Sequence, residues 1–261
     1  ENSPEWCFAL YGSLRCNAVV VPVDVQSTKN EVEYIINDCT PDIIFTTDNK
    51  LDFFANMDCK GAKIITPSYI TIDTADKVPI SNIPIKEQED TLFIIYTSGT
   101  TGNPKGVMLS YKNVMFNIDA VSKSVPIFKE ESNVMILLPL HHAFPLIGSL
   151  VAPLSVGSTV YIAEGMNAEA ILKTLNQGKI SLIIGVPRLY DMLVKGVMNK
   201  INASVVTRTL YKVVKAIGND AVSKVVFKSV HTKFGGNIEY LVSGGAALSI
   251  ETATILKTLG F

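Results

Sequence analysis

An excess charge of either sign is missing from this 261-residue chain: 23 Lys and Arg stand against 24 Asp and Glu, a formal net charge of −1. No global field therefore draws in nucleic acid or an anionic membrane, and any basic surface has to be local. Biased tracts and internal repeats are absent too. With 48% hydrophobic and 18% charged residues, the composition excludes a disordered or fibrous chain and predicts a globular α/β body. Cysteine is sparse: Cys7, Cys16, Cys39 and Cys59 follow no metal-ligand spacing and read as reduced thiols of a cytoplasmic protein, with no metal site. Residues 1–6 carry neither an initiator Met nor the basic-then-apolar run of a secretory leader. They look like a cut made inside a gene, and the ending Leu259-Gly260-Phe261 looks like a second one.

One stretch contains no Asp, Glu, Lys or Arg at all, residues 132–163. It exceeds the roughly 20 apolar residues that span a bilayer, yet Pro139, Pro145 and Pro153 would interrupt a spanning helix and two adjacent histidines would be costly in lipid. A buried strand–helix–strand unit fits better, with strands over 134–138 and 158–163 and a helix over 145–156.

The rest of the chain alternates in the same way. Helices are predicted over 4–16, 29–38, 48–57, 111–125, 168–177 and 188–201, and strands over 19–22, 43–46, 62–66, 92–96, 107–110 and 180–185. Two further strands and a helix close the chain. Such alternation implies a mainly parallel sheet. The polar, proline-bearing stretch 67–90 is the best internal boundary. Between residues 201 and 233, Arg208, Lys212, Lys215, Lys224, Lys228 and Lys233 face one acid, Asp220. This is either a solvated helical face or a contact for anionic lipid or phosphate.

The sharpest signal is Tyr96-Thr97-Ser98-Gly99-Thr100-Thr101-Gly102-Asn103-Pro104-Lys105-Gly106, lying between two strand patterns. The hydroxyls of Thr97, Ser98, Thr100 and Thr101, interleaved with Gly99 and Gly102, can converge with backbone N–H groups on phosphate oxygens, and Lys105 adds a point charge. A plain connective hairpin needs only about two to five residues. A Walker A loop places Gly99 and Lys105 correctly but demands glycine where Pro104 stands, a hydroxyl where Gly106 stands, and a helix where strand residues follow.

This segment resembles the phosphate-loop signature of the adenylate-forming superfamily: acyl-CoA synthetases, amino-acid adenylation domains and luciferases. The opening Asn2-Ser3-Pro4-Glu5-Trp6 with Val19 to Asp24, the histidine motif Leu138-Pro139-Leu140-His141-His142-Ala143-Phe144, and Ser243-Gly244-Gly245-Ala246-Ala247-Leu248 resemble further family motifs in the family's order. The resemblance implies an incomplete N-terminal AMP-binding domain over 1–261, built from two sheet-and-helix subdomains. It implies that ATP and a carboxylic acid give an acyl adenylate, whose acyl group passes to a thiol, usually coenzyme A. Thr97, Ser98, Gly99, Thr100, Thr101, Gly102 and Lys105 would hold the β- and γ-phosphates, and Lys105 and His142 would take catalytic roles. Gly244, Gly245 and Ala246 would let backbone approach adenine and acyl chain. Alone, His142 reads as a buried structural histidine and Gly244-Gly245 as an ordinary turn; the motif context favours the site.

The uncharged run 132–163 and Val186-Pro187-Arg188-Leu189-Tyr190 resemble the long-chain fatty acid branch, whose members are fatty acid–CoA ligases, and the 208–233 segment then becomes a peripheral membrane contact. Two alternatives stand beside this: an adenylating enzyme for another acid or for a carrier-protein acceptor, and a non-catalytic lipid-binding or scaffold remnant. The family's adenine-stacking aromatic, Mg2+-binding glutamate, ribose-binding aspartate and C-terminal lid have no counterpart in these residues. The 261 residues alone are therefore expected to form no acyl adenylate.

Overall fold

The Ser3 hydroxyl accepts from the Trp6 N–H at 3.2 Å and Pro4 occupies the first turn, which starts α1 (Pro4–Arg15). A reciprocal capping box starts α2 (Lys29–Cys39): the Thr28 hydroxyl accepts from the Glu31 N–H, and the Glu31 carboxylate accepts from the Thr28 N–H at 2.7 Å. The inward face of α2 carries Val32, Ile35 and Ile36, and Val32 and Ile36 pack with Met57. The computed structural model describes residues 1–69, 87–97, 104–125 and 127–261. These divide into two units, Glu1–Phe116 with Pro139–His142, and Asn117–Leu138 with Ala143–Phe261.

In the first unit β1 (Ile43–Phe45) pairs in parallel with β2 (Lys63–Ile65). Between them the helix expected over 48–57 is shorter, a 3-10 turn at Asp48–Lys50 running into α3 (Leu51–Phe54). β3 (Thr91–Thr97) and β4 (Lys105–Ser110) form an antiparallel pair, and α4 (Tyr111–Asp119) follows. Its predicted continuation to 125 widens into a π turn at Ala120–Ser124. The strand expected over 19–22 reduces to a single parallel bridge between Val20 and Phe93. Val20 donates to the Leu92 carbonyl and accepts from the Ile94 N–H. The next ladder donor would be residue 22, a proline without an N–H, so pairing stops there. The boundary expected near 67–90 falls mainly on 70–86, outside the described residues; the residues flanking 70–86 on both sides belong to the first unit.

The second unit holds a four-stranded, all-parallel sheet of β5 (Asn133–Ile136), β6 (Thr159–Ile162), β7 (Leu182–Gly185) and β8 (Tyr240–Ser243), in the order β6-β5-β7-β8. β5 and β7 are apolar runs covered on both faces, as interior parallel strands require. Between β5 and β6 the chain is helical, as α5 (Ala143–Pro145), a wide π turn at Leu146–Val151, and α6 (Ala152–Ser155). Residues 132–163 are thus strand, helix and strand, and no helix among the described residues is long and apolar enough to cross a membrane. α7 (Ala168–Gln177), capped by Asn167, leads to β7, and α8 (Pro187–Asn202) starts on a proline.

Met135, Leu137, Ile171, Leu175, Ile180, Ile183 and Leu189 form one core cluster. Each such side chain contributes about 1.5–3 kcal/mol relative to an exposed one. The Tyr190 hydroxyl lies 2.8 Å from the Val242 carbonyl and 3.1 Å from that of Ile183, tying α8 to the two strands. Where two further strands were expected after residue 201, the described residues give one, β8. Ser204 and Asn219 cap α9 (Val205–Ile217) and α10 (Asp220–Val226), and α11 (Lys228–Lys233) follows. Tyr211 and Val214 of α9, and Phe227 between α10 and α11, turn inward onto Ile201 and Leu259. The closing helix is α12 (Ile250–Leu259), where the Ser249 hydroxyl accepts from the Thr252 N–H at 3.0 Å.

Candidate functional site

The β3–β4 pair sets Thr97 opposite Lys105 and Tyr96 opposite Gly106. Ser98, Gly99, Thr100, Thr101 and Gly102 lie outside the described residues, and the pairing places Thr97 and Lys105 at the two strand ends that flank them. Both are exposed, and Lys105 has no ion-pair partner among the described residues. Strand, not helix, follows Lys105, which removes the Walker A reading on structural grounds.

The histidine segment Pro139–His142 belongs to the same unit and is fastened by residues from the opening of the chain. The Leu140 N–H donates to Asn2 Oδ1 at 3.1 Å, and His141 Nε2 lies 3.5 Å from Asp24 Oδ2. The His141 and His142 rings are 4.0 Å apart between centroids. His141 is the covered member, its side chain 15% exposed, whereas His142 is exposed. The buried, strand-ending reading of His142 is corrected accordingly: β5 stops at Ile136, Pro139 intervenes, and the second imidazole emerges into solvent.

Burial, then the neighbouring His142, hold the His141 pKa below the ordinary imidazole value, against the opposing pull of Asp24. Between the lowered value and about 6.5 the unfolded chain binds more protons than the folded one. The stability linked to His141 is therefore fully present above that range and is lost as pH falls through it. Urea midpoints measured from pH 7.5 to 5 are expected to decline below about pH 6.5, and His141→Gln should flatten that part of the curve; parallel curves for the two proteins would contradict this.

In the second unit β6 and β7 flank β5 on opposite sides. The chain thus reverses its order of strand addition there, and in open parallel sheets ligands bind beyond the carboxyl ends of the strands at such a point. At the carboxyl ends, Gly185 is the last residue of β7 and Ser243 the last of β8, with Gly244 and Gly245 just beyond it. The Gly244 N–H donates to the Gly185 carbonyl at 3.1 Å. A Cβ on Gly244 would sit 2.5 Å from Phe144 Cζ, so the aromatic ring rests directly on the glycine backbone. Gly245 has φ +78°, a left-handed conformation suited to glycine. Gly245 and Ala246 are exposed, and the buried Ser243 hydroxyl has no hydrogen-bond partner among the described residues.

Thr97, Lys105 and His142 thus belong to the first unit, and Gly244, Gly245 and Ala246 to the second. Sequence reasoning missed the holding roles of Asn2 and Asp24 and the seat of Phe144 on Gly244. The signal was present, since all four residues stand inside motifs already picked out, but their pairing is not written in any spacing. Among the described residues, no group of three or more His, Cys, Asp or Glu side chains is placed to hold a metal ion. Burial pushes the Cys7 and Cys39 thiols up, which keeps them protonated.

A parallel sheet with a glycine turn beyond its carboxyl edge, together with a Ser/Thr/Gly stretch between antiparallel strands, has the architecture of the N-terminal domains of adenylate-forming enzymes. The ATP-bound crystal structure of MatB from Rhodopseudomonas palustris is similar, with a TM-score of 0.72 and 21% identity over 98% of this chain and 45% of that one. The chain belongs to the AMP-binding enzyme family, whose profile matches residues 1–260. Long-chain-fatty-acid–CoA ligase 1 of Schizosaccharomyces pombe is 31% identical over 82% of this chain and 34% of its own length. Long chain acyl-CoA synthetase 2 of Arabidopsis thaliana is 25% identical over 99% of this chain and 45% of its own. The chain spans less than half the length of these relatives.

Proposed function

We propose that these residues form part of the N-terminal domain of a long-chain fatty acid–CoA ligase. The whole protein would convert ATP and a fatty acid to an acyl adenylate and pyrophosphate, then pass the acyl group to coenzyme A. The observation carrying the reading is the β3–β4 hairpin, which sets Thr97 opposite Lys105 at the base of the hydroxyl-rich stretch, in a chain that the family profile matches from residue 1 to 260.

In the first step a carboxylate oxygen attacks the α-phosphorus and the bond to the β-phosphate oxygen breaks. Phosphoryl transfer of this kind needs positioning and charge stabilisation more than covalent help. Thr97, Ser98, Gly99, Thr100, Thr101, Gly102 and Lys105 hold the β- and γ-phosphates, where charge accumulates as pyrophosphate leaves. His142, exposed beside the covered His141, supplies a donor to the carboxylate and α-phosphate. Gly244, Gly245 and Ala246 give adenine and acyl chain a backbone surface with little side-chain bulk. In the second step the thiol of coenzyme A attacks the acyl carbon, AMP departs, and the thiol proton is released. Mg2+ at a nucleotide is held mainly by phosphate oxygens, waters and one or two carboxylates; no group of three or more His, Cys, Asp or Glu among the described residues is placed to hold a metal ion, and the proposal assigns the ion no ligand among them.

An uncharged acyl tail is supported by residues 132–163, which contain no ionisable residue besides His141 and His142 that could meet a substrate ammonium, apart from the phenol of Tyr161, and by the names of the two relatives. ATP–pyrophosphate exchange by the full-length protein across a panel of acids tests the reading. Exchange highest with long-chain fatty acids is expected; exchange highest with an aryl or short-chain acid would redirect the substrate, and none with any acid would remove the ligase.

The basic segment 208–233 is proposed as the membrane contact. On α9, Val205, Val206, Leu210, Val213 and Ile217 are exposed while Arg208, Lys212 and Lys215 share the helix, the composition of a helix that lies in a lipid interface. Neutralising Lys212, Lys215, Lys224 and Lys228 is expected to abolish sedimentation of the full-length protein with anionic liposomes; unchanged sedimentation would contradict the assignment.

A further inference from the structure

Asp38 is out of place by the rules of helix stability. It stands in the last turn of α2, where the negative end of the helix disfavours a carboxylate, and that turn contains no basic residue. Its Oδ2 instead accepts a hydrogen bond from the Tyr96 hydroxyl at 2.6 Å, across 58 positions of sequence, a length typical of hydroxyl-to-carboxylate bonds. Tyr96 immediately precedes Thr97 and faces Gly106, which immediately follows Lys105.

A second contact holds the same ring. A Cβ on Gly106 would lie 3.2 Å from Tyr96 Cζ and 2.7 Å from Ile94 Cγ2. The aromatic ring therefore lies close over the Gly106 backbone, where a Cβ would crowd the ring and collide with Ile94. The ring is pinned by its hydroxyl to one helix and by its face to the opposite strand. α2 is itself anchored by Val32, Ile35 and Ile36. Burial, reinforced by the Asp38 bond, pushes the Tyr96 pKa up, so the hydroxyl stays a donor at neutral pH.

We propose that Asp38 and Tyr96 are positioning residues for the nucleotide: through Gly106 they fix the strand ends from which Thr97 and Lys105 project toward the phosphates. The proposal rests on the ligase reading. Neither side chain touches substrate; each acts by removing freedom from groups that do, and preorganised donors gain their effect from not having to reorient.

The test is ATP–pyrophosphate exchange by the full-length protein, with KM measured separately for ATP and for fatty acid and Tm recorded for each variant. Tyr96→Phe keeps the ring over Gly106 and removes only the hydroxyl; Asp38→Ala removes the acceptor; Asp38→Asn retains an acceptor oxygen. Tyr96→Phe and Asp38→Ala are expected to raise KM for ATP about tenfold with KM for fatty acid unchanged and Tm lowered by no more than a few degrees, and Asp38→Asn to stay near wild type. An unchanged KM for ATP overturns the proposal. So do equal rises for both substrates accompanied by a lower Tm, which is the signature of a purely structural bond. A wild-type protein without exchange overturns the ligase reading and the proposal together, an outcome distinct from active wild type with indifferent variants.

Discussion

Lys105→Ala in the full-length protein is expected to slow acyl-adenylate formation about 100-fold, the usual cost of deleting one preorganised donor from a site of developing negative charge. That factor corresponds to about 2.7 kcal/mol of transition-state stabilisation. The fold should survive. Lys105 is exposed at the first position of β4 and has no ion-pair partner among the described residues, and surface changes away from caps and networks usually stay within about 0.5 kcal/mol. Exchange rates and Tm read side by side separate the two effects. Lys105→Arg should recover only part of the rate, because a planar fork does not replace a compact ammonium. Wild-type exchange by Lys105→Ala would mean that the ammonium does not meet the phosphates.

The second large effect concerns stability. Gly235 has φ +82°, and a Cβ placed on it would collide with the backbone carbonyl oxygen of Leu175 in α7. The turn is pressed there by a hydrogen bond from Asn176 Nδ2 to the Lys233 carbonyl at 3.1 Å. Leu175 is itself fully buried in the main core cluster, so neither side of the collision can yield without disturbing packing. Gly235→Ala is therefore expected to cost about 3 kcal/mol or more. For a domain of this size that lowers Tm by about 6–12 °C. Gly236 provides the control: its φ is +73° but nothing lies within 4 Å of an added Cβ, so Gly236→Ala should cost only about 1 kcal/mol of backbone strain. Equal Tm losses for the two variants would show that the left-handed backbone, and not the approach to α7, sets the requirement.

Much of this architecture is legible one residue at a time. Ser3, Thr28 and Ser249 announce three helices by the hydrogen bonds their side chains accept from the N–H three residues on. The apolar runs 134–136 of β5 and Leu182–Gly185 of β7 announce strands covered on both faces. The strand misread at 19–22 has a local cause, since Pro22 withholds the next ladder N–H after Val20. Where an extra strand was expected near the end there are helices, and Tyr211 and Val214 of α9 turn inward together with Phe227 at the junction of α10 and α11.

The site is legible in its residue types and not in its supports. Hydroxyls, glycines and a lysine between two strand patterns raise the expectation of a phosphate site from residue types alone. The groups that hold such residues in place act across long separations: Asn2 reaches Leu140 over 138 positions and Asp38 reaches Tyr96 over 58. No periodicity encodes a contact of that kind. Phe144 on Gly244 is equally silent in sequence, because a glycine after a strand reads as a turn until a ring is seen resting on it.

A crystal structure of the full-length protein with a non-hydrolysable ATP analogue bears most directly on the central proposal. The expected result is a triphosphate whose β- and γ-oxygens accept from the segment between Thr97 and Lys105, with the Lys105 ammonium within hydrogen-bonding distance. A fully occupied nucleotide bound elsewhere, with that segment turned from its phosphates, would contradict the account.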